Sequence, residues 1–571
     1  MSQAEAILAG RGIRLEKDVV IPLRDGGRLA ANVFRPDRPG RFPVLMTKGI
    51  YGKDVHFEDG YPLPWAKLVR LNPGIVDAGS SGHFLRWEMI DPERWVPDGY
   101  VVIAVDSRGS GRSPGYLDPF SPTETEDYRE AIAWAAAQPW STGRVGLIGI
   151  SYYTIKHWQV AATRPPALAA ICQWEGGCDL YRDWGHHGGI LSNVFPTAWY
   201  PRQVLPNQNG NAATHHRDRD TGEATTGDPV PDVLLPGNRA DHPADLLAHP
   251  FDDAWHAERT PKLGRIEVPL YSAGNWGGAG LHLRGNIEGY LRAGSSRKWL
   301  EIHTGTHFES FYRPAFIARQ KQFLDHFLKD ADNGWDDTAP IRLEIRHPDH
   351  VEERFATAWP LPETEWTRLY LDPAAGTLGE TPPAQPSVAQ YHAMREGLTL
   401  HTAPFAEPVE FTGPVAARLW VSSETTDMDI FACLRLFDPE GREVIFQGAS
   451  DLAPVARGWL RASHRATDPA RSLPWRPWHP HDGQEPLIPG EPVAVDVEIW
   501  PTCIVCPPGY TLALTLQGHD LEPGDQPGRI LHNHPEDRPA GIFAARNAIH
   551  AGLGHDSFLL MPRIPSRRGA P

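Results

Sequence analysis

Hydrophobic positions fall into two regimes along this chain. Short apolar runs without alternation recur at residues 43–46, 101–105, 145–148, 168–172, 268–271 and 298–302. That is the pattern of parallel strands buried on both faces, and the amphipathic stretches between them read as covering helices. The clearest helix spans 121–138, with Glu124, Glu126 and Asp127 in its first turn and Tyr128, Ala131, Ile132 and Ala135 on one face. Pro139 ends it. Residues 12–34 read as two paired strands around the turn at 24–27, an antiparallel edge. From about Asp336 the pattern changes to alternation, in 341–345, 416–421, 430–436, 493–499 and 510–516, punctuated by Pro and Gly. The predicted architecture is an α/β doubly wound domain followed by an all-β sandwich or jelly roll.

Two stretches break the α/β rhythm. Residues 61–94 insert a polar and aromatic segment, and 179–260 insert a long one rich in Asn, His, Gly and Pro. The second is predicted to cap the carboxyl ends of the strands, where ligands of such sheets bind. The implied division is 1–178 and 261–335 for the two parts of the α/β domain, 179–260 for the cap and 336–571 for the β domain. Within the cap, Asp218–Gly222 has calcium-loop residues out of register and reads as a solvated loop, as does His215-His216.

Composition narrows the function. The chain has 571 residues, 55 basic against 71 acidic, a net charge of −16. That balance repels phosphate backbones and anionic lipid, so nucleic acid and membranes are excluded as partners. No apolar run has the length of a signal peptide within the first thirty residues, or of a membrane span anywhere, which places the protein in the cytoplasm. Five cysteines make no disulfide framework, and Cys503-x-x-Cys506 lacks a second pair for zinc. No cofactor and no metal is expected.

The chemistry centres on Arg144-Val-Gly-Leu-Ile-Gly-Ile-Ser151-Tyr-Tyr, where an apolar strand stops at a serine and a helical pattern begins. Gly149-x-Ser151 fits a nucleophile elbow, although Tyr153 stands where the motif has its second glycine. A serine needs a base, which in this fold order follows the last strand. His307, in the loop after 298–302, is the candidate; His303 at the strand end is expected to point into packing. The spacing of the two histidines falls on a glycine-containing loop and argues against a metal. The backbone N–H of Tyr152 is one oxyanion donor, and the Tyr51 hydroxyl, in the loop after 43–46, is the candidate for the other.

Tyr51, Asp106-Ser-Arg-Gly-Ser-Gly-Arg-Ser-Pro-Gly115, Gly149-Ile-Ser-Tyr152, Asp179-Leu-Tyr-Arg182, Thr306-His-Phe308 and the β-rich C-terminal part together resemble the cocaine esterase-like hydrolases of the X-Pro dipeptidyl-peptidase (peptidase S15) superfamily. The resemblance covers essentially the whole chain. It implies an α/β-hydrolase domain with an inserted helical cap and a C-terminal jelly roll, and it carries the nucleophile, base and oxyanion roles onto Ser151, His307 and Tyr51.

The family's aspartate does not carry over: the matching position is Gly277, and no Asp or Glu occurs between Glu267 and Glu288. Glu175, at the carboxyl end of the strand beside the nucleophile strand, is the candidate acid; the alternative is a glutamate solvated or paired with Arg182. Glu309 and Asp183 are poorer candidates. The predicted reaction is hydrolysis of a small carboxylic ester or amide through an acyl-enzyme. Trp158, Trp174, Trp184, Trp199, Trp255 and Trp276 suggest an aromatic acyl pocket. X-Pro dipeptidyl-peptidase, amidase or acyltransferase activity and a silenced scaffold kept for binding are the alternatives, and homo-oligomerisation is left open.

Overall fold

The computed structural model describes residues 3–77, 79–449, 452–522 and 530–565. Ten strands build the first sheet: β1 (Ile13–Pro22), β2 (Arg28–Pro36), β3 (Phe42–Gly49), β4 (Val101–Asp106), β5 (Ser141–Ile150), β6 (Leu168–Trp174), β7 (Leu270–Asn275), β8 (Lys298–His303), β9 (Ile341–Arg346) and β10 (Val351–Ala356). Their order is β1-β2-β4-β3-β5-β6-β7-β8-β9-β10. β1 and β2 form the antiparallel edge, and β4 through β9 run parallel. β3 and β4 are buried along their whole length and β5 over its last six residues, which is why their sequences do not alternate. The run at 341–345, expected in the β domain, instead extends this sheet by pairing with β8.

Helix α1 (Pro122–Ala136) starts where the sequence predicts: Ser121 accepts the Glu124 N–H and Pro122 occupies the first turn. It packs beside α2 (Tyr152–Ala161), the helix that follows Ser151. Between them lies a buried charge cluster. The Glu124 carboxylate is 3.1 Å from Lys156 Nζ and 3.7 Å from Lys48 Nζ, and it accepts bonds from the Tyr152 and Ser107 hydroxyls at 2.7 and 2.6 Å. Burial alone would raise its carboxyl, but Lys156 and Lys48 outweigh burial and hold it at about 2. Glu124→Gln leaves two buried ammoniums poorly compensated, a loss of about 3–5 kcal/mol for a broken buried pair. The expected result is a clearly lowered midpoint in thermal or denaturant unfolding.

Among the described residues the second sheet has twelve strands, almost all antiparallel, the longest being Val409–Ser423 and Val493–Cys506. Strand Phe558–Ile564 pairs with both Glu365–Asp372 and Val409–Ser423 and folds the sheet back around a second apolar core. The insertion carries short helices, among them Val194–Trp199, His242–Ala248 and Ala254–Arg259, joined by irregular segments and a two-stranded hairpin at 186–191. The architecture is therefore an α/β-hydrolase domain with a helical cap and a C-terminal jelly roll.

The 215–222 segment departs from the solvated loop expected of it. Asp218 is buried and ion-pairs with Lys17, and buried His216 bonds Asn207 at 3.1 Å. The five cysteines are buried and unpaired. No helix among the described residues is long and apolar enough to cross a membrane.

Candidate active site

β5 delivers Ser151 to the sheet's carboxyl rim in a strained backbone conformation, φ 61° and ψ −119°. The Ser151 N–H donates to the Trp174 carbonyl at 3.0 Å, tying the turn to β6, while its own carbonyl accepts from Thr154 and Ile155 to open α2. Tyr152 N–H lies in that helix's first turn, where no intrahelical acceptor exists. Tyr153 fits without the motif's second glycine because the neighbouring strand gives way: a Cβ on Gly49 would stand 2.4 Å from the Tyr153 ring.

Glu175 follows β6 with φ 46°, its N–H bonded to the Ala273 carbonyl of β7. Its carboxylate accepts from His307 Nδ1 at 2.7 Å, His303 Nε2 at 3.0 Å and Asn275 Nδ2 at 3.3 Å. Burial works to raise this carboxyl, but the two histidines hold it down at about 2. Arg182, the other partner weighed for Glu175, pairs instead with Asp179 and Asp252, and Asp183 with Arg284. His303 packs against Trp174, with ring centroids 5.1 Å apart.

Two residues with no assigned role in the sequence join this group. His307 Nε2 is 2.9 Å from Glu88 Oε1, so the imidazole lies between two carboxylates. Ser151 Oγ bonds not to His307 but to His282 Nε2, at 3.2 Å. His282 stacks on His307 with centroids 5.2 Å apart and planes 15° from parallel. The Gly177 N–H donates to His282 Nδ1, which fixes the neutral tautomer with the proton on Nε2, pointed at the serine oxygen.

Charge follows from these contacts. Burial lowers His307, but Glu175 and Glu88 push it up to about 10, so the resting imidazole carries both protons. Burial and the charge on His307 lower His282 to about 3, keeping it neutral. Burial raises Glu88 to about 7 against the pull of His307. Glu88 lies in the 61–94 insertion at φ 61°, a strained position that nothing in the spacing of the sequence reveals. His282 stands in the turn continuing from Gly277, and its only sequence signal is proximity to the missing aspartate.

Ser151, His282, His307, Glu88 and Tyr51 line one cavity of about 250 Å³, with the cap's Trp199 and the β domain's Trp500 closing it. Glu175 supports His307 from behind. Tyr51 is buried, and its hydroxyl accepts the Trp199 Nε1–H at 2.9 Å, which leaves its own proton to donate. Burial and Glu88 raise its hydroxyl far above the ordinary range, so it stays protonated. Of the six tryptophans expected around the pocket, only Trp199 and Trp276 line it; Trp158 and Trp174 lie in the hydrophobic core. Among the described residues two clusters have metal-ligand spacing, His347/His350/Glu352 and His56/Glu58/Asp59, and neither lines this cavity.

Gly277 shows why an aspartate has no place there. A Cβ on it would stand 2.3 Å from Gly448 Cα, because residues 447–449 of the β domain lie against the turn. Ala449 bonds across it, its N–H to the Gly277 carbonyl and its carbonyl to the His307 N–H. Gly277→Asp is therefore expected to displace that segment, shift His307 and lower both activity and unfolding midpoint, not to supply an acid. Paired rate and melting measurements check this.

An α/β-hydrolase sheet bearing a serine on its elbow, with a buried His–Glu pair beside it, defines a hydrolytic enzyme of the serine esterase class. The chain belongs to the X-Pro dipeptidyl-peptidase (S15) family, in its cocaine esterase-like group. The model of the X-Pro dipeptidyl-peptidase (S15 family) matches residues 25–309, and that of the X-Pro dipeptidyl-peptidase C-terminal non-catalytic domain matches 333–560. Cocaine esterase of Rhodococcus sp. (strain MB1 Bresler) is 25% identical over 96% of this chain and 98% of its own. The crystal structure of a CocE/NonD family hydrolase from Staphylococcus aureus is 33% identical, with TM-score 0.83 over 97% of this chain and 94% of that one. An aminopeptidase from a marine sediment Thaumarchaeota archaeon shares the fold, with TM-score 0.71, 17% identity and 97% of both chains covered.

Proposed function

We propose that the protein hydrolyses a small carboxylic ester through an acyl-enzyme on Ser151, with His307 as base and Glu175 as the acid that orients it. The observation that carries this reading is the buried His307–Glu175 pair at 2.7 Å on the same rim as the strained Ser151. Nε2 first gives its resting proton to Glu88 or to solvent. With Nδ1 anchored on Glu175, a turn of the neutral imidazole then swings the Nε2 lone pair from Glu88 to the serine. His307 then takes the Oγ proton as Oγ attacks the carbonyl carbon and returns it to the leaving alkoxide; water repeats the sequence on the acyl group. His282 cannot take that proton in its resting tautomer, since its Nδ1 accepts from Gly177 and its Nε2 is already protonated. The Tyr51 hydroxyl and the Tyr152 N–H hold the oxyanion.

The cavity walls favour an aromatic or bulky apolar acyl group. Tyr61 stacks on Trp87 with centroids 4.1 Å apart, and Trp199, Trp276 and Phe308 complete the apolar surface. In the division that fits this reading, residues 1–178 and 261–335 carry the chemistry, 179–260 cover it, and 336–571, whose first two strands extend the first sheet, complete the cavity wall.

The test is an acid-quenched reaction with p-nitrophenyl benzoate, followed by peptide mass analysis. A burst of one nitrophenol per chain and a benzoyl adduct on Ser151 are expected. Turnover with an adduct elsewhere, or with no burst and no adduct under single-turnover conditions, would contradict the reading.

A further inference from the structure

We infer that Glu88 is a positioning residue for the base: it holds His307 Nε2 away from Ser151 in the resting enzyme and arms it by accepting its proton. The inference rests on the assignment of His307 as the base. Three observations point to it. Glu88 Oε1 bonds the one imidazole atom that the reaction needs free, at 2.9 Å. Glu88 Oε2 is buried and makes no well-formed hydrogen bond among the described residues, with the Trp87 side chain as a weak donor beside it, so the carboxylate is poorly solvated for a charged group. The residue is 2% exposed and held at positive φ, a strained conformation that orients its side chain into the cavity wall beside Ser151.

The step balances as a proton transfer along this hydrogen bond. The proton on His307 Nε2 moves to Glu88 Oε1, turning a carboxylate–imidazolium pair into a carboxylic acid and a neutral imidazole. Nε2 now has a lone pair, leaves Glu88 and receives the Ser151 proton, while Glu175 keeps Nδ1 and stays ionised. A carboxyl of ordinary acidity would not hold that proton; one raised to about 7 by burial is far better matched to imidazole.

The neighbours do not compete in the working range. Tyr51, Tyr61, Tyr153 and Tyr312 face Glu88 and are held protonated by burial and by its charge, and His282 is held neutral.

The experiment compares wild type with Glu88→Gln and Glu88→Asp, reading the pH profile of kcat/KM for a neutral ester and the His307 imidazole NMR titration in each full-length protein. With glutamine the second anion is gone, so His307 should lose its proton at lower pH. The imidazole titration should move acidward by at least one unit. In wild type the ascending limb rises below the imidazole titration, because Glu88 can take the pair's one remaining proton; in Glu88→Gln the two should coincide. Aspartate should restore part of both effects. A Glu88→Gln enzyme that is slower at every pH with neither curve moved would overturn the inference. So would a Glu88→Gln imidazole titration that moves but still lies apart from the ascending limb, and that result would also contradict His307 as the base. An adduct missing from Ser151 in the quenched reaction above would instead mark failure of the nucleophile assignment alone.

Discussion

Glu175→Gln is expected to lower kcat by about 10³–10⁴ on a simple ester, with little change in KM. The amide keeps the volume, and Asn275 and His303 still surround it, so the change is one of charge and not of packing. What is lost is specific. Without a carboxylate at Nδ1, nothing selects the tautomer with its lone pair on Nε2, and the imidazolium formed during attack has no buried counterion on that side. Glu88 cannot substitute, because it touches the wrong nitrogen. Steady-state kinetics against wild type measure the effect; a variant within tenfold of wild type would remove Glu175 from the account.

Tyr51→Phe is expected to reduce kcat by about 10²–10³, the usual loss for one oxyanion donor, again with little effect on KM. Tyr51 is fixed before substrate arrives: its ring meets those of Tyr152 and Tyr153 edge-on at 5.8 and 5.7 Å, and Trp199 donates to its oxygen. The hydroxyl therefore needs no reorganisation to donate to a developing oxyanion. The substitution also leaves the Trp199 N–H buried without an acceptor, so unfolding should be measured beside the rate. A large loss of rate at nearly unchanged stability is the signature of the donor role.

The strands of the first sheet were legible because burial on both faces writes an unbroken apolar run, and α1 because Ser121, Pro122 and the acidic first turn mark its start. Ser151 was legible because a buried strand ended at it. Glu175 could be inferred only from strand adjacency, since β6 must lie beside β5 when a helix connects them. Glu88 and His282 were not legible. Each reaches the site through tertiary packing of an irregular segment, and a single buried carboxylate or histidine in such a segment has no periodicity to set it apart. The same holds for Trp87 and Trp500, which line the cavity in place of tryptophans that proved to be core. The membership of β9 in the first sheet was hidden as well, because its alternation reflects one face toward the β domain and one partly open.

The most direct measurement of the central claim is labelling of the full-length protein with a fluorophosphonate, followed by peptide mapping, in wild type and in Glu175→Gln. The account predicts rapid stoichiometric modification at Ser151, abolished by prior acid denaturation and slowed by orders of magnitude in the variant. No modification of folded wild-type protein over hours, or equal labelling of the two proteins, would contradict it.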